Sequence, residues 1–183
     1  MRGAGVAPDV FCFSAAMKAC ANGGQWPRAL SLLEEMRGNG VSPDKVVYNA
    51  AIHACAKGAQ WQRALSLLGE MRAAGVPPNM FCYNSAITAC AEGGQWQRAL
   101  SLLPVMRGRG IRPGEVSYGA AIHACAEAGV WEKAVAMLEE MRRAGVPPNT
   151  PCYNSAIKAC ATARQWQRAL SLLGEMRGSG HGD

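Results

Sequence analysis

The sequence contains no long hydrophobic run. None of the apolar stretches in its 183 residues approaches the roughly 18–20 residues that cross a bilayer, so we expect neither a transmembrane helix nor a membrane partner. The first six residues, MRGAGV, have neither the apolar core of a secretory signal nor the Arg- and Ser-rich pattern of an amphipathic leader. We therefore expect any organelle-targeting signal to lie outside this chain.

Metal-binding and disulfide patterns are also absent, although the sequence has eight cysteines. No Cys-x-x-Cys pair occurs, and no cysteine has a histidine at the three-to-five-residue spacing of a zinc finger. Cys12 and Cys20 are eight residues apart, about 12 Å along a helix, whereas a disulfide requires Cα atoms within about 7 Å. We therefore predict reduced core cysteines in a reducing compartment.

Catalytic patterns are missing in the same way. The three histidines, His53, His123 and His181, do not combine with an acid and a nucleophile into a catalytic group. The sequence therefore predicts no catalytic residue, no metal, no cofactor and no small-molecule substrate. Acidic residues are fewer than basic ones, 13 against 19, and this small surplus favours an acidic partner such as nucleic acid.

What the sequence does have is a 35-residue period. Each of five residue types returns at this spacing and in one phase, which indicates five copies of one structural module. The clearest series are Trp26, Trp61, Trp96, Trp131 and Trp166; Cys20, Cys55, Cys90, Cys125 and Cys160; and Met36, Met71, Met106, Met141 and Met176.

Each module reads as two helices. In residues 45–79 the apolar positions Tyr48, Ile52 and Cys55 share one helical face, and Gly58 ends that helix. A second helix begins near Trp61 and stops before Gly75, because Pro77 and Pro78 block its continuation. Neither helix can bury its apolar face alone, so the sequence predicts an all-α, right-handed α-solenoid of stacked helix–turn–helix repeats. We expect the tryptophans to fill the space between the two helices of each hairpin.

Two details of the second helix lead to further expectations. Arg37 and its equivalents lie in the last turn, where a cation complements the helix dipole, so solubility and capping explain them best. Pro104 stands inside the second helix of the third module, where it removes one backbone hydrogen bond and predicts a kink.

The module resembles the pentatricopeptide repeat family. The resemblance covers residues 10–183 and rests on the Tyr-Asn pair (Tyr48-Asn49), the Glu-Met pair (Glu70-Met71) and the closing Pro-Asn (Pro78-Asn79), with their equivalents. Phasing on that family places the tail of a preceding repeat at 1–9 and repeats 1 to 5 at 10–44, 45–79, 80–114, 115–149 and 150–183. The bounds favour a piece of a longer array, or a start at an internal methionine, over a free-standing array.

The helical wheel separates a polar strip on the first helix from its buried face. When hairpins stack, these strips line up as a groove of apolar, amide and basic groups that suits single-stranded nucleic acid. The groups that could contact phosphate are Lys18, His53, Lys57, His123 and Lys158, with Glu92 and Glu127 opposing them.

The family resemblance implies the same surface and a role for each position. One repeat addresses one RNA base, with the amino end of the protein toward the 5′ end of the RNA. The implied base readers are Ser14 with Asp44, Asn49 with Asn79, Asn84 with Gly114, Gly119 with Asn149, and Asn154 alone. The implied base clamps are Phe11, Val46, Phe81, Val116 and Pro151.

The resemblance also implies a function. It predicts an RNA-binding module in mitochondrial or plastid RNA processing, stability or translation, and the pairs predict a core of guanine, cytosine, a pyrimidine and adenine. Two of the four complete pairs contain a glycine, Gly114 or Gly119, which has no side chain to read a base. These glycines favour the alternative, a protein–protein interaction scaffold.

Overall fold

The computed structural model describes residues 8–179, and every regular element in that part of the chain is an α-helix. His181 and most of the predicted tail at 1–9 lie outside the described residues. Ten helices follow one another in five hairpins: α1 (Val10–Asn22), α2 (Trp26–Gly38), α3 (Lys45–Lys57), α4 (Trp61–Ala73), α5 (Met80–Glu92), α6 (Trp96–Gly108), α7 (Glu115–Glu127), α8 (Trp131–Arg143), α9 (Thr150–Thr162) and α10 (Trp166–Ser179).

The chain divides into two compact units, which we call unit 1 (residues 1–89) and unit 2 (residues 90–183). In unit 1, α1 packs on α2 and α3, and α3 packs on α4. In unit 2, α7 packs on α8 and α9, and α9 packs on α10. Successive hairpins therefore stack mainly through their first helices, and the predicted all-α helical-repeat fold is confirmed.

The start of a first helix is fixed by a side-chain cap. The side chains of Asp9, Asp44, Asn79 and Asn149 each accept a hydrogen bond from the backbone N–H three residues later, at 2.9–3.1 Å. Such a cap satisfies one of the N–H groups that the first turn leaves unpaired. The last residue of a repeat is therefore also the cap of the next one.

Glycine fixes the end of a second helix. Gly75 has a φ of +73°, a left-handed conformation that side chains disfavour. The following Val76 N–H returns to the carbonyl of Met71 at 2.9 Å, which closes the helix as a Schellman motif. The same arrangement recurs after α2, α6 and α8.

The core lies between neighbouring first helices and the inner face of the second helices. Small residues such as Ala51 and Ala54 are fully buried and let the first helices approach closely, while Met36, Ile52 and Met71 fill the space beside them. A buried side chain of this size stabilises the fold by about 1.5–3 kcal/mol.

The tryptophans fill the hairpin interior only in part. Four are half-buried, and Trp166 is 64% exposed. Trp26 packs on Ala21 and Ala29 of its own hairpin and on Ala54 of the next. It also covers the turn of the next hairpin, where a Cβ added at Gly58 would lie 2.6 Å from the indole Nε1. The indole therefore joins two repeats, and Trp166 is exposed because no described hairpin follows α10.

Not every cysteine is buried. All eight are free thiols, and Cys55, Cys82, Cys90, Cys125, Cys152 and Cys160 are buried as predicted. Cys12 is exposed and Cys20 is half-buried. Cys12 occupies the position of Cys82, which packs against Met71 and Asn49 of the preceding hairpin. No described hairpin precedes α1, so nothing covers Cys12 in the same way.

The arginines at the ends of the second helices join repeats, which sequence reasoning missed. Arg37 pairs with Glu70 of the next hairpin at 2.7 Å, and Arg142 pairs with Glu175 at 2.5 Å. Arg142 also donates to the Tyr153 hydroxyl at 2.7 Å and lies over the tyrosine ring. Arg107 pairs with Glu140 in the same register. Each pair links residues 33 positions apart.

Helix α6 continues through Pro104 and has 13 residues, the same length as α2, α4 and α8. Its last turn is tighter, because the N–H of Arg109 returns three residues, to Met106, at 3.0 Å, whereas that of Asn39 after α2 returns four. The kink at Pro104 stays a prediction.

Candidate nucleic-acid interface

The five clamp residues are exposed, and each is the second residue of the first helix of its hairpin. Phe81 is 67% exposed and Val46 is 55% exposed, although both are large apolar residues. Apolar side chains at a regular spacing on the surface mark a contact with another molecule. The others are Phe11, Val116 and Pro151.

In unit 1 these side chains border a cleft. The cleft has a volume of about 390 Å³, and Val46 and Phe81 lie on it together with Asn49. This volume lies within the range of small-molecule sites, about 300–1,000 Å³. Its remaining lining consists of one cation, Lys18, of the polar side chains of Asn22, His53 and Ser85, and of Ala50. The cleft thus combines apolar walls, an amide and positive charge.

The reader pair of repeat 2 meets one residue of the next repeat, Cys82. The carbonyl oxygen Oδ1 of Asn49 accepts a hydrogen bond from the Cys82 thiol, with Sγ and Oδ1 2.6 Å apart. The Oδ1 of Asn79 accepts one from the Cys82 backbone N–H at 3.1 Å. Both side-chain carbonyls are therefore engaged, and among the described residues neither amino group has a partner.

The reader pair of repeat 1 is built differently. The Ser14 hydroxyl donates to the Phe11 carbonyl at 2.9 Å, and Asp44 Oδ1 caps α3. Val47, whose side chain has no hydrogen-bond donor, stands where Cys82 stands in the next repeat, and its backbone N–H donates to Asp44. Ser14 and Asp44 therefore have no common hydrogen-bond partner, whereas Asn49 and Asn79 share Cys82.

The readers of repeat 3 are less accessible. Asn84 is only 9% exposed, whereas its equivalent Asn154 is exposed. Gly114 caps α7 through its backbone, and its N–H donates to Ser117 Oγ at 3.2 Å. Asn84 therefore offers little surface to a base, and Gly114 has no side chain to offer.

Repeat 4 has one reader side chain, and the protein already occupies it. Asn149 Oδ1 accepts from the Cys152 N–H at 3.0 Å, and its amino group donates to Glu115. Gly119 has no side chain, and a Cβ added there would lie 3.7 Å from Cys152 Sγ, an ordinary contact. The pair therefore offers a base a single amide, whose oxygen and amino group each already have one partner within the protein.

Positive charge at the groove is available in unit 1. Lys18 and Lys57 are exposed and form no ion pair with a described residue. His53 is half-buried; burial, and to a smaller extent Lys57, lowers its pKa. His53 is therefore neutral at neutral pH and would meet RNA as a hydrogen-bonding ring rather than as a cation.

Positive charge at the groove of unit 2 is neutralised. Lys158 Nζ lies 2.6 Å from Glu127 Oε1, and this hydrogen bond lowers the pKa of the Glu127 carboxyl. His123 lies between two carboxylates, 3.9 Å from Glu92 and 3.8 Å from Glu127. An approaching phosphate would have to compete with these carboxylates.

Two functional features escaped the sequence analysis. The capping role of Asp44, Asn79 and Asn149 had a clear signal, an Asp or Asn directly before a helical pattern. The link between Cys82 and Asn49 had a weaker one, a cysteine 33 residues after a reader.

Residues 8–179 lack two other kinds of site. No group of three or more His, Cys, Asp or Glu side chains there could hold a metal ion. None of the described helices combines the length and the apolar character that crossing a membrane requires.

Comparison with known proteins places this geometry in a family. Residues 10–144 match the model of the pentacotripeptide-repeat region of PRORP, and residues 151–181 match the PPR repeat model. No curated protein matches the chain in sequence.

Solved structures give the same answer. The chain is similar to the pentatricopeptide repeat protein PPR10 in complex with an 18-nt psaJ RNA element, at 31% identity and a TM-score of 0.80 over 93% of this chain and 24% of that one. It is similar to PPR10 from maize, at 30% identity and a TM-score of 0.77 over 96% of this chain and 25% of that one.

A third structure is more distant in sequence. The PPR domain of Arabidopsis thaliana protein-only RNase P 1, in complex with tRNA, is 21% identical with a TM-score of 0.77, over 92% of this chain and 89% of that one. At this identity the likeness shows the fold alone. The family models cover most of the sequence, and the solved structures share its helical hairpins. The chain therefore belongs to the pentatricopeptide repeat family.

Proposed function

We propose that the chain binds single-stranded RNA in the groove of its first helices, with about one base per repeat. The observation that carries the proposal is the cleft of unit 1, where Val46 and Phe81 are exposed beside Asn49 and Lys18. PPR10, which is 31% identical to this chain, has been solved in complex with RNA.

Each part of the cleft has a task. Phe81 and Val46 offer apolar surface to the two faces of a base, and a stacked base contributes about 1–3 kcal/mol. Asn49 offers a hydrogen-bonding group to the base edge, where RNA sequence is read. Lys18 and Lys57 attract the backbone phosphates, a contribution that salt weakens. The full set of readers, clamps and phosphate contacts from the sequence remains part of this proposal.

The function of the whole protein is a wider proposal. The chain spans about a quarter of the length of PPR10, 24% of that chain. We propose that the array serves RNA processing, stability or translation, in a mitochondrion or plastid, as a binding module without catalysis. The repeat bounds and the base order guanine, cytosine, pyrimidine, adenine belong to the same proposal.

The test is RNA binding by the full chain at about 50 and 200 mM salt, with random single-stranded RNA and a duplex as competitor. We expect weak, salt-sensitive binding to the single strand. Lys57→Gln should weaken it and lower the slope of log K against log salt by about 0.7 for one lost phosphate contact. Arg28→Gln is the matched control, because Arg28 is exposed on α2, away from the groove.

Equal loss in both variants would contradict a phosphate contact at Lys57. If the chain binds no RNA, that result supports the alternative function, a protein-interaction scaffold. One observation favours that alternative: Trp166, Leu170 and Leu173 are exposed on α10 and form an apolar stripe.

A further inference from the structure

One residue contacts both readers of repeat 2, Asn49 through its side chain and Asn79 through its backbone, and it belongs to the next repeat. The family resemblance assigns no role to Cys82. Its thiol nevertheless donates a hydrogen bond to Asn49 Oδ1, and its backbone N–H donates one to Asn79 Oδ1. The Cys82 side chain is fully buried and is not among the residues that line the cleft of Val46, Asn49 and Phe81. It therefore does not touch a base, and any effect on binding must act through the two asparagines.

The direction of the thiol bond fixes the Asn49 amide. Burial raises the pKa of the Cys82 thiol, so at neutral pH it stays protonated and is a donor. The other atom near Sγ is Met71 Sδ at 3.6 Å, and a thioether is a weaker acceptor than an amide oxygen. The thiol proton therefore goes to Oδ1 of Asn49, which turns the amino group of Asn49 away from Cys82.

The Asn79 amide is fixed by the same residue. Its oxygen caps α5 at the Cys82 N–H, so its amino group is the end that remains for a ligand. In repeat 4 the equivalent amino group is held by Glu115, but repeat 2 has Lys45 at that position, and an ammonium group cannot accept a hydrogen bond. Repeat 2 therefore presents two amide donors.

We propose that Cys82 is a positioning residue that locks Asn49 and Asn79 with their amino groups toward the RNA, so that repeat 2 selects cytosine over uracil. This inference rests on the proposed function. Cytosine has two adjacent acceptors on its Watson–Crick edge, N3 and O2, whereas uracil has an N–H at position 3. Two fixed donors match cytosine. A freely rotating Asn49 amide could turn its oxygen to accept from uracil and would lose the distinction.

The chain offers matched positions for a test. Val47 fills the Cys82 position in repeat 2 and is fully buried, so valine fits this site in the fold. Cys152 fills it in repeat 5 but faces Gly119, which has no side chain to orient. Cys82→Val removes the thiol donor, Cys82→Ser keeps a donor, and Cys152→Val is the control for losing a buried thiol.

Each full-length variant is used to select from randomised single-stranded RNA octamers, and its melting curve checks the fold. We expect Cys82→Val to lower the cytosine-to-uracil ratio at the second position of the enriched motif by about threefold or more, the scale of one hydrogen bond. Cys82→Ser should keep most of the ratio, and Cys152→Val should leave it unchanged.

A second readout needs no RNA. The order parameter of the Asn49 side-chain NH₂ group, from ¹⁵N relaxation of the full chain, should fall in Cys82→Val and stay high in Cys82→Ser and Cys152→Val. An unchanged order parameter, or an unchanged base ratio in Cys82→Val while Asn49→Ala abolishes the preference, overturns the role of Cys82 and leaves RNA binding intact. If the wild-type chain enriches no RNA, the proposed function fails, and the selecting role of Cys82 fails with it.

Discussion

Repeat 2 in unit 1 and repeat 4 in unit 2 have the same helices but opposite groove chemistry. Their first helices, α3 and α7, both have 13 residues and bury the same series of alanine, isoleucine and cysteine. On these helices, Lys45 and Lys57 of repeat 2 correspond to Glu115 and Glu127 of repeat 4. The buried positions set the fold, and a few surface positions decide what the fold can bind.

Net charge does not show this difference. Each unit has three more basic than acidic residues, 8 against 5 in unit 1 and 11 against 8 in unit 2. The difference is one of placement, because Lys158 of unit 2 pairs with Glu127, whereas Lys18 and Lys57 of unit 1 form no ion pair with a described residue. RNA affinity should therefore depend mainly on unit 1. Measurements of stability and of RNA binding would sharpen or contradict this comparison of the two units.

The largest expected effect is on stability at alkaline pH. Burial raises the pKa of Cys55 in unit 1, and of Cys90 and Cys125 in unit 2, to about 11 from an ordinary value of 9.0. The unfolded chain loses these protons first, so the free energy of unfolding should fall as pH rises from about 9 to 11. Denaturant midpoints at pH 8 and 10.5 measure the loss.

Cys125→Ala should reduce this pH dependence, although it lowers stability at every pH by leaving a cavity. Cys12→Ala is the control, because Cys12 is exposed. An equal pH dependence in both variants would show that the buried thiols do not cause the alkaline loss.

Gly58→Ala should destabilise unit 1, because a methyl group at residue 58 would overlap the Trp26 indole. Overpacking of this kind costs about 1–3 kcal/mol. Unit 2 has alanine at the matching position, Ala128, so Ala128→Gly should change the denaturant midpoint less. The double variant Trp26→Ala with Gly58→Ala should lose less than the two single changes added together. Additive losses would contradict the contact between repeats.

Phe81→Ala should weaken RNA binding by about 1–3 kcal/mol, the contribution of one stacked base, with little effect on stability because Phe81 is exposed. Val116→Ala, at the clamp position of repeat 4, should weaken it less. Titration of both variants with the RNA selected by the wild type measures the difference. A larger loss from Val116→Ala would overturn the view that unit 1 contributes most of the binding.

The smallest effect is expected from exchanging single charges. Lys57→Glu should weaken RNA binding a few-fold at low salt, and Glu127→Lys should strengthen it, because it removes the partner of Lys158 and adds a cation. Both effects should shrink as salt is raised. Affinities at two salt concentrations check this, and a gain that persists at high salt would point to a cause other than charge.

The sequence predicts which residues are exposed on the first helices better than it predicts which of their chemical groups remain available to a ligand. Phe11, Val46, Phe81 and Val116 are all exposed, as a wheel drawn from the buried face of the first helix requires. Asn49 and Asn84 occupy the same wheel position, yet Asn49 lines a cleft and Asn84 is buried. Position on a helix does not by itself decide how much of a side chain is buried.

The sequence by itself determined the 35-residue period. It also determined the helices and their ends, because these depend on residues three or four positions apart and on caps such as Asp44 and Gly75. Only the tertiary structure decided that Trp26 covers the next turn, that Arg37 joins two repeats, and that Cys82 holds Asn49. These partners are about 33 residues apart in sequence and meet only when hairpins stack. A hydrogen bond forms within about 3 Å, so side-chain packing between repeats decides which groups remain for a ligand.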